Sequence, residues 1–438
     1  MATTLTFPLS RIEGHARVEI DIQDGKVLAT RFKAMEKRGF HLFVQGVPAE
    51  QMPVIVPRIC GVCSTAHHVA AVKTLEDAYG VQPPPLANKI RSLLLLGQLI
   101  QNQATSLFIF TMPDRLETDS LFHFSEQEAD KETLFNIARR SLLLRQLGTD
   151  LISLAGGQFI HPVKAVIGGV SSGIPPEKTH PFRQRLLDLL PTACQLFDYY
   201  WEISLRMKER IGTWGDDQPA YYITSTCRQK PDYNSSIIRV MTPAGECCQE
   251  FSPRAFREIL QFEDIEYSYA GRTSYQGEVM RANSLARANM TARMGTPKAA
   301  AYLKRLRDEF GHPAHPILLF DLCRGIELVY AIERAAEMLA EPLDNADTDV
   351  PYTPRDGEGF GLVEAPRGPL IHHYVIEDGK IKLGEFIIPT VHNMLAIERA
   401  LRVAAERYIT ADAVNMELQH AVGRVVRAFD PCIACATH

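Results

Sequence analysis

The chain has 438 residues, 46% of them hydrophobic and 23% charged, with a formal net charge of −5. Such proportions suit a soluble globular protein with a large core, and basic residues dispersed among acidic ones exclude the basic stripe of a nucleic-acid binder. No run reaches the roughly 18 apolar residues that span a bilayer, and the N-terminus lacks the charged and apolar regions of a signal peptide, so no membrane span and a cytoplasmic location are expected.

In chain order, "ARVEIDIQDGKVLATRF" alternates Val18, Ile20 and Ile22 on one face, and Asp24-Gly25 supplies a tight hairpin turn. Apolar residues at three- and four-residue spacing predict helices near 86–110, 128–155, 179–211, 251–264, 277–293, 297–310 and 324–341. A second hairpin is expected around Asp378-Gly379, then helices at 391–407 and 411–428. Proline and glycine punctuate the chain without forming an interdomain linker. The expected fold is mainly α (α+β): one domain over 1–438, a large helical-bundle core with small peripheral β-hairpins. Its N- and C-terminal ends meet at a buried metal site.

The reason for joining the ends lies in the cysteines. There are nine, an odd count that does not look like a disulfide framework, and four form two CxxC pairs. Cys60 and Cys63 lie in "RICGVCSTAHH", and Cys432 and Cys435 in the terminal "CIACATH". Four thiolates suit zinc or an iron–sulfur cluster, but zinc ribbons place their pairs about 15–20 residues apart. A separation of hundreds of residues needs a folded protein around the metal, as a buried catalytic site or a zinc clip tethering the C-terminus would have. His67, four residues after Cys63, can hydrogen-bond a sulfur, and Glu13 in "RIEGH" can relay protons. Cys194, Cys227, Cys247, Cys248 and Cys323 read as inert thiols outside these motifs.

"RICGVCSTAH" with the terminal "DPCIACATH" resembles the two signature motifs of the large subunit of nickel–iron hydrogenases, most like the cytoplasmic multisubunit types. Further matches are "RIEGHARV", "GGQFIHP" at 156–162, "EAPRG" at 364–368 and "IPTVHN" at 388–393, so the resemblance runs end to end. It implies reversible heterolytic cleavage of dihydrogen to protons and electrons. It also implies a nickel–iron centre carrying carbon monoxide and cyanide on iron. By resemblance, Cys60 and Cys432 are terminal nickel ligands and Cys63 and Cys435 bridge the two metals. Cys432 and then Glu13 take the proton, and Arg367 points over the open position. Pro366 and Thr390 line the diatomic ligands, with Thr390 a donor to cyanide, and His438 binds a magnesium-type ion.

Two departures stand out. The chain reads "RGFH" where family members commonly carry glutamate; His41 is a poor magnesium partner, leaving a different metal, a water network or no ion. Asn102 occupies a slot often filled by aspartate. Among partners, the resemblance implies electron-transfer subunits linked to flavin, nicotinamide, ferredoxin or deazaflavin, together with an iron–sulfur small subunit. It implies maturation proteins and a C-terminal endopeptidase too, since a chain stopping at His438 resembles a processed form. No glycine-rich dinucleotide fingerprint follows a strand, so nicotinamide binding by this chain itself is not expected. A hydrogen sensor using the same site with low turnover is the alternative.

Overall fold

A computed structural model describes residues 3–122, 131–208, 215–226, 229–409, 413 and 415–437. Its first element is an antiparallel meander of β1 (Thr3–Pro8), β2 (Ala16–Gln23) and β3 (Lys26–Ala34). Val18, Ile20 and Ile22 all face the core, as their alternation requires. The two-residue turn places both Asp24 and Gly25 at positive φ, the geometry that matches the twist of the paired strands. β1 adds a third strand to the expected hairpin.

The helical body comprises α1 (Ser64–Tyr79), α2 (Pro85–Ala104), α3 (Lys131–Gly156), α4 (Pro176–Arg206) and α5 (Ser284–Met290). It continues with α6 (Pro297–Phe310), α7 (Leu319–Met338), α8 (Met394–Tyr408) and α9 (Met416–Phe429). α2 packs against α3 and α7, and α4 also packs on α7. The helical stretch Pro85–Arg115 is long and apolar enough to cross a membrane, but 83% of its most apolar window is buried within this body.

Two predicted helical regions resolve differently, and one helix falls outside the predicted set. Residues 251–264 form only short turns at Pro253–Ala255 and Phe256–Ile259, then a strand, Leu260–Glu263. Pairing with Arg272–Tyr275 there overrides local helix propensity. Within 277–293 the helix begins only at Ser284, capped by the Asn283 side chain. α1 was not foreseen because 14 of its 16 residues are buried, which erases the polar stripe that marks an amphipathic helix.

Late in the chain, β4 (Gly357–Ala365), β5 (Gly368–Glu377) and β6 (Lys380–Ile387) form a second antiparallel meander. Asp378-Gly379 makes the turn between β5 and β6, again at positive φ. β4 lies directly against α1. A Cβ at Gly359 would stand 2.1 Å from Thr74 O, and one at Gly361 2.3 Å from Ala70 O. Only glycine lets the backbones approach so closely, and this contact brings the helix after Cys63 against the sheet carrying Arg367.

Two core histidines give the body a pH dependence. His68 donates Nδ1–H to Pro53 O, and His392 shares Nδ1 with Thr273 Oγ1; among the described residues neither Nε2 has a partner. Burial pulls both imidazoles down to about 4 from an ordinary value of 6.5. Between those values the unfolded chain binds more protons, so this stability is full above 6.5 and lost as pH falls towards 4. The thermal midpoint should therefore drop across that window, and less steeply in a His68→Gln, His392→Gln double variant. Equal slopes would contradict the assignment.

Candidate metal centre

The two ends of the chain meet through Glu13. It forms an isolated parallel bridge with Cys432, and its carbonyl accepts Ile433 N–H at 3.1 Å. Gly14 follows at φ +80°, where a Cβ would stand 2.9 Å from Ile433 Cβ, so glycine permits this approach. Asp114 accepts from both Arg11 (2.6 Å) and Arg427 (2.7 Å), locking the N-terminal loop to α9. α9 ends at Asp430 in the left-handed region, which turns the chain so that Cys432 caps a short helix, Ile433–Ala436. Thr437 O accepts Arg38 N–H at 2.8 Å, which ties down the tail.

Cys60 leaves the Val56–Ile59 turn in extended conformation, and Cys63 caps the N-terminus of α1, where the helix dipole favours a thiolate. The four sulfurs all lie within 4.8 Å of one another, with Cys60–Cys432 at 3.5, Cys63–Cys432 at 3.6 and Cys432–Cys435 at 2.9 Å. Sulfurs bound at about 2.3 Å to one ion stand roughly 3.3–4.6 Å apart in tetrahedral or square arrangement. The Cys60–Cys432 and Cys63–Cys432 separations fall in that range, and Cys432–Cys435 is shorter, so binding one ion would spread that pair. All four cysteines are buried. Burial pushes the Cys432 and Cys435 thiols well above their usual range, whereas hydrogen bonding with Cys432, then with Cys435, holds Cys63 well below it.

Among the other predicted site residues, Glu13 sets Oε2 3.0 Å from Cys432 Sγ and accepts Ala434 N–H at 3.1 Å. Burial first, then the neighbouring Cys60, raises its carboxyl to about 7. Pro366 and Arg367 are the two turn residues between β4 and β5. Arg367 donates Nη1–H to Cys63 Sγ at 3.3 Å, Nε–H to Asp430 O at 2.6 Å and Nη2–H to Asp430 Oδ1 at 2.9 Å. Thr390 Oγ1 accepts Cys432 N–H at 3.0 Å. His67 lies 3.5 Å from Cys435 Sγ. Pro366, Arg367, Thr390 and His67 line a small cavity beside the sulfurs together with Leu370, Ile388 and Pro389. His438 lies outside the described residues; His41 sits just beyond Arg38, whose amide meets the tail.

The sequence reading missed what holds this ring in place. Asp430 Oδ2 accepts from Asn102 Nδ2 at 3.1 Å, so Asn102 still binds the carboxylate that grips Arg367. Arg287 donates to Pro366 O at 2.7 Å and to Glu364 at 2.8 Å, and it is paired with Glu327. Nothing in a lone Arg or Glu announces such burial. Cys194, Cys247, Cys248 and Cys323 stand outside the thiol cluster, and Cys227 lies outside the described residues.

Removing the Thr390 hydroxyl leaves the buried Cys432 amide without its acceptor. Thr390→Val should cost about 1–3 kcal/mol, read as a lowered thermal midpoint that Thr390→Ser restores. No difference between the two variants would contradict the contact.

Residues 38–132 and 225–438 match the family described as nickel-dependent hydrogenase, and residues 6–36 match a HoxL-like description. One polypeptide of the F420-non-reducing hydrogenase vhu of Methanococcus voltae is 32% identical over 414 residues, covering 91% of this chain and 97% of that protein. The beta chain of the NAD-reducing hydrogenase HoxS of Cupriavidus necator is 28% identical, covering 98% and 93%. A crystal structure of an NAD+-reducing NiFe-hydrogenase in the H2-reduced state aligns at TM-score 0.90 with 28% identity over 99% of both chains. The Ni-Fe-Se hydrogenase of D. vulgaris Hildenborough, 23% identical, shares the fold at TM-score 0.81 over the whole of both chains. Profile, relatives and buried thiols agree, and the chain belongs to the nickel-dependent hydrogenase family as a hydrogen-activating large subunit.

Proposed function

We propose that this chain cleaves dihydrogen reversibly and heterolytically at a site built on Cys60, Cys63, Cys432 and Cys435. One observation carries the reading: four buried thiols, drawn from opposite ends of the chain, share a space one ion can fill, and a buried carboxylate touches one of them. When bound, a nickel–iron centre with carbon monoxide and cyanide on iron supplies the site at which hydrogen is split. Cys60 and Cys432 would hold nickel terminally, and Cys63 and Cys435 would bridge.

The protein's own residues then have distinct tasks. Cys432 Sγ accepts the proton and Glu13 Oε2, 3.0 Å away, passes it on, within the reach a proton transfer requires. A carboxyl raised to about 7 by burial can both take and release a proton near neutral pH. Arg367 stays charged and offers a fixed guanidinium beside Cys63. Pro366 lines the cavity where the diatomic ligands would sit, and Thr390, whose oxygen accepts the Cys432 amide, would have its hydroxyl proton to offer to cyanide. His67, with Nε2 3.5 Å from Cys435 Sγ, supports that sulfur.

Electrons leave through other subunits. The relatives come from multisubunit hydrogenases, which supports electron-transfer partners linked to flavin, nicotinamide, ferredoxin or deazaflavin, reached through an iron–sulfur small subunit. Dedicated maturation proteins and a C-terminal endopeptidase belong to the same reading, as does a cytoplasmic location. A divalent ion at His438 belongs to it as well; with His41 in the adjoining segment, a softer ion than magnesium fits better. Both ends serve one site, which supports 1–438 as a single domain. The sensor reading uses the same residues and gains no separate support.

Glu13→Gln keeps an acceptor for the Ala434 amide but cannot carry the proton. Hydrogen-uptake activity of the complex should fall about 10²–10⁴-fold, while nickel content and infrared bands of metal-bound carbon monoxide and cyanide persist. Unchanged activity would overturn the role of Glu13. Absence of those bands from the native complex would overturn the diatomic ligands.

A further inference from the structure

Three buried side chains continue outward from the thiol cluster. His67 Nε2 lies 3.5 Å from Cys435 Sγ, and its Nδ1 lies 3.0 Å from His372 Nε2. His372 Nδ1 in turn lies 2.7 Å from the Tyr374 hydroxyl. His67 projects from α1, while His372 and Tyr374 are two residues apart on β5 and so share one face. The close approach of α1 to β4 at Gly359 and Gly361 makes the link between helix and sheet possible. Phe386 packs edge-on against both the His372 and Tyr374 rings.

The row has one consistent polarity. A buried phenol keeps its proton, and burial pushes Tyr374 well above its ordinary value. Among the described residues, its O–H faces a single acceptor, His372 Nδ1. Once Nδ1 accepts, a neutral His372 carries its proton on Nε2 and donates it to His67 Nδ1. His67 must then carry its own proton on Nε2, facing the sulfur. The reverse polarity leaves the buried phenol proton without an acceptor among the described residues and, once Cys435 is a metal-bound thiolate, turns a lone pair towards it. We infer that Tyr374, acting through His372, fixes His67 as a hydrogen-bond donor to Cys435 Sγ. Tyr374 and His372 are thus positioning residues for the metal centre. The consequence for bound metal rests on the hydrogenase reading above, whereas the tautomers themselves do not.

The test has two arms. In the full chain, with histidine ring nitrogens isotope-labelled, long-range proton–nitrogen spectra distinguish the tautomers, with signals assigned through His67→Gln and His372→Gln. Both rings should be Nε2–H in the native chain, and Tyr374→Phe should shift His372 away from that form. A native His372 protonated at Nδ1 would overturn the inference whatever metal is bound. In the metal-loaded complex, Tyr374→Phe weakens donation to the sulfur, which then returns electron density to the metals. The infrared carbon monoxide band should move to lower wavenumber with nickel content unchanged. An unmoved band would overturn the link to the metal centre. Native bands missing altogether would count against the hydrogenase reading and leave the tautomer arm to decide this one.

Discussion

The joining of Glu13 to the segment Cys432–Ala434 is the contact on which the rest depends. A backbone bridge, an Ile433 amide on the Glu13 carbonyl and an Ala434 amide on its carboxylate fasten the start of the chain to its end. Chain ends ordinarily fray, because few contacts hold them. Here Asp114, gripped by Arg11 and Arg427, clamps the same junction from outside, and Arg38 holds Thr437. Each CxxC pair alone supplies half a coordination set. Closing the junction completes it, so the geometry of the centre is a property of the whole fold.

Electrostatics explains why so many charges are buried around it. Burying an ion is costly unless it is paired and hydrogen-bonded. Arg367 satisfies that condition through Asp430, which is itself held by Asn102. Deeper in, Arg287 with Glu327 and Glu364 braces the Pro366 carbonyl. These groups place a fixed positive charge beside sulfurs that must be thiolates to bind metal. An apolar wall of Pro366, Leu370, Ile388 and Pro389 keeps water from screening it. With Asn102 neutral, Asp430 is, among the described residues, the one carboxylate bonded to the Arg367 guanidinium.

Much of this was legible beforehand, for reasons that can be named. The Asp24-Gly25 and Asp378-Gly379 turns were visible because few residues tolerate positive φ. The cysteine pairs were visible because thiols at that spacing have few other uses, and their separation already required the ends to meet. The roles of Arg367, Pro366 and Thr390 came from family resemblance and from nothing in their local pattern. Helix α1 stayed hidden because burial on all sides removes its periodicity. The strand at Leu260–Glu263 stayed hidden because its partner, Arg272–Tyr275, decides it. Asp430, Arg287 and His372 could not be read at all, since what they do depends on neighbours distant in sequence.

The central claim is that the four cysteines together hold the nickel. Nickel-edge X-ray absorption on the native complex tests it most directly, because it counts the sulfur atoms around the metal. Four sulfur scatterers, falling to three when Cys60 is replaced by Ser, are the predicted result. A nickel environment of nitrogen and oxygen, unchanged by that substitution, would contradict the account.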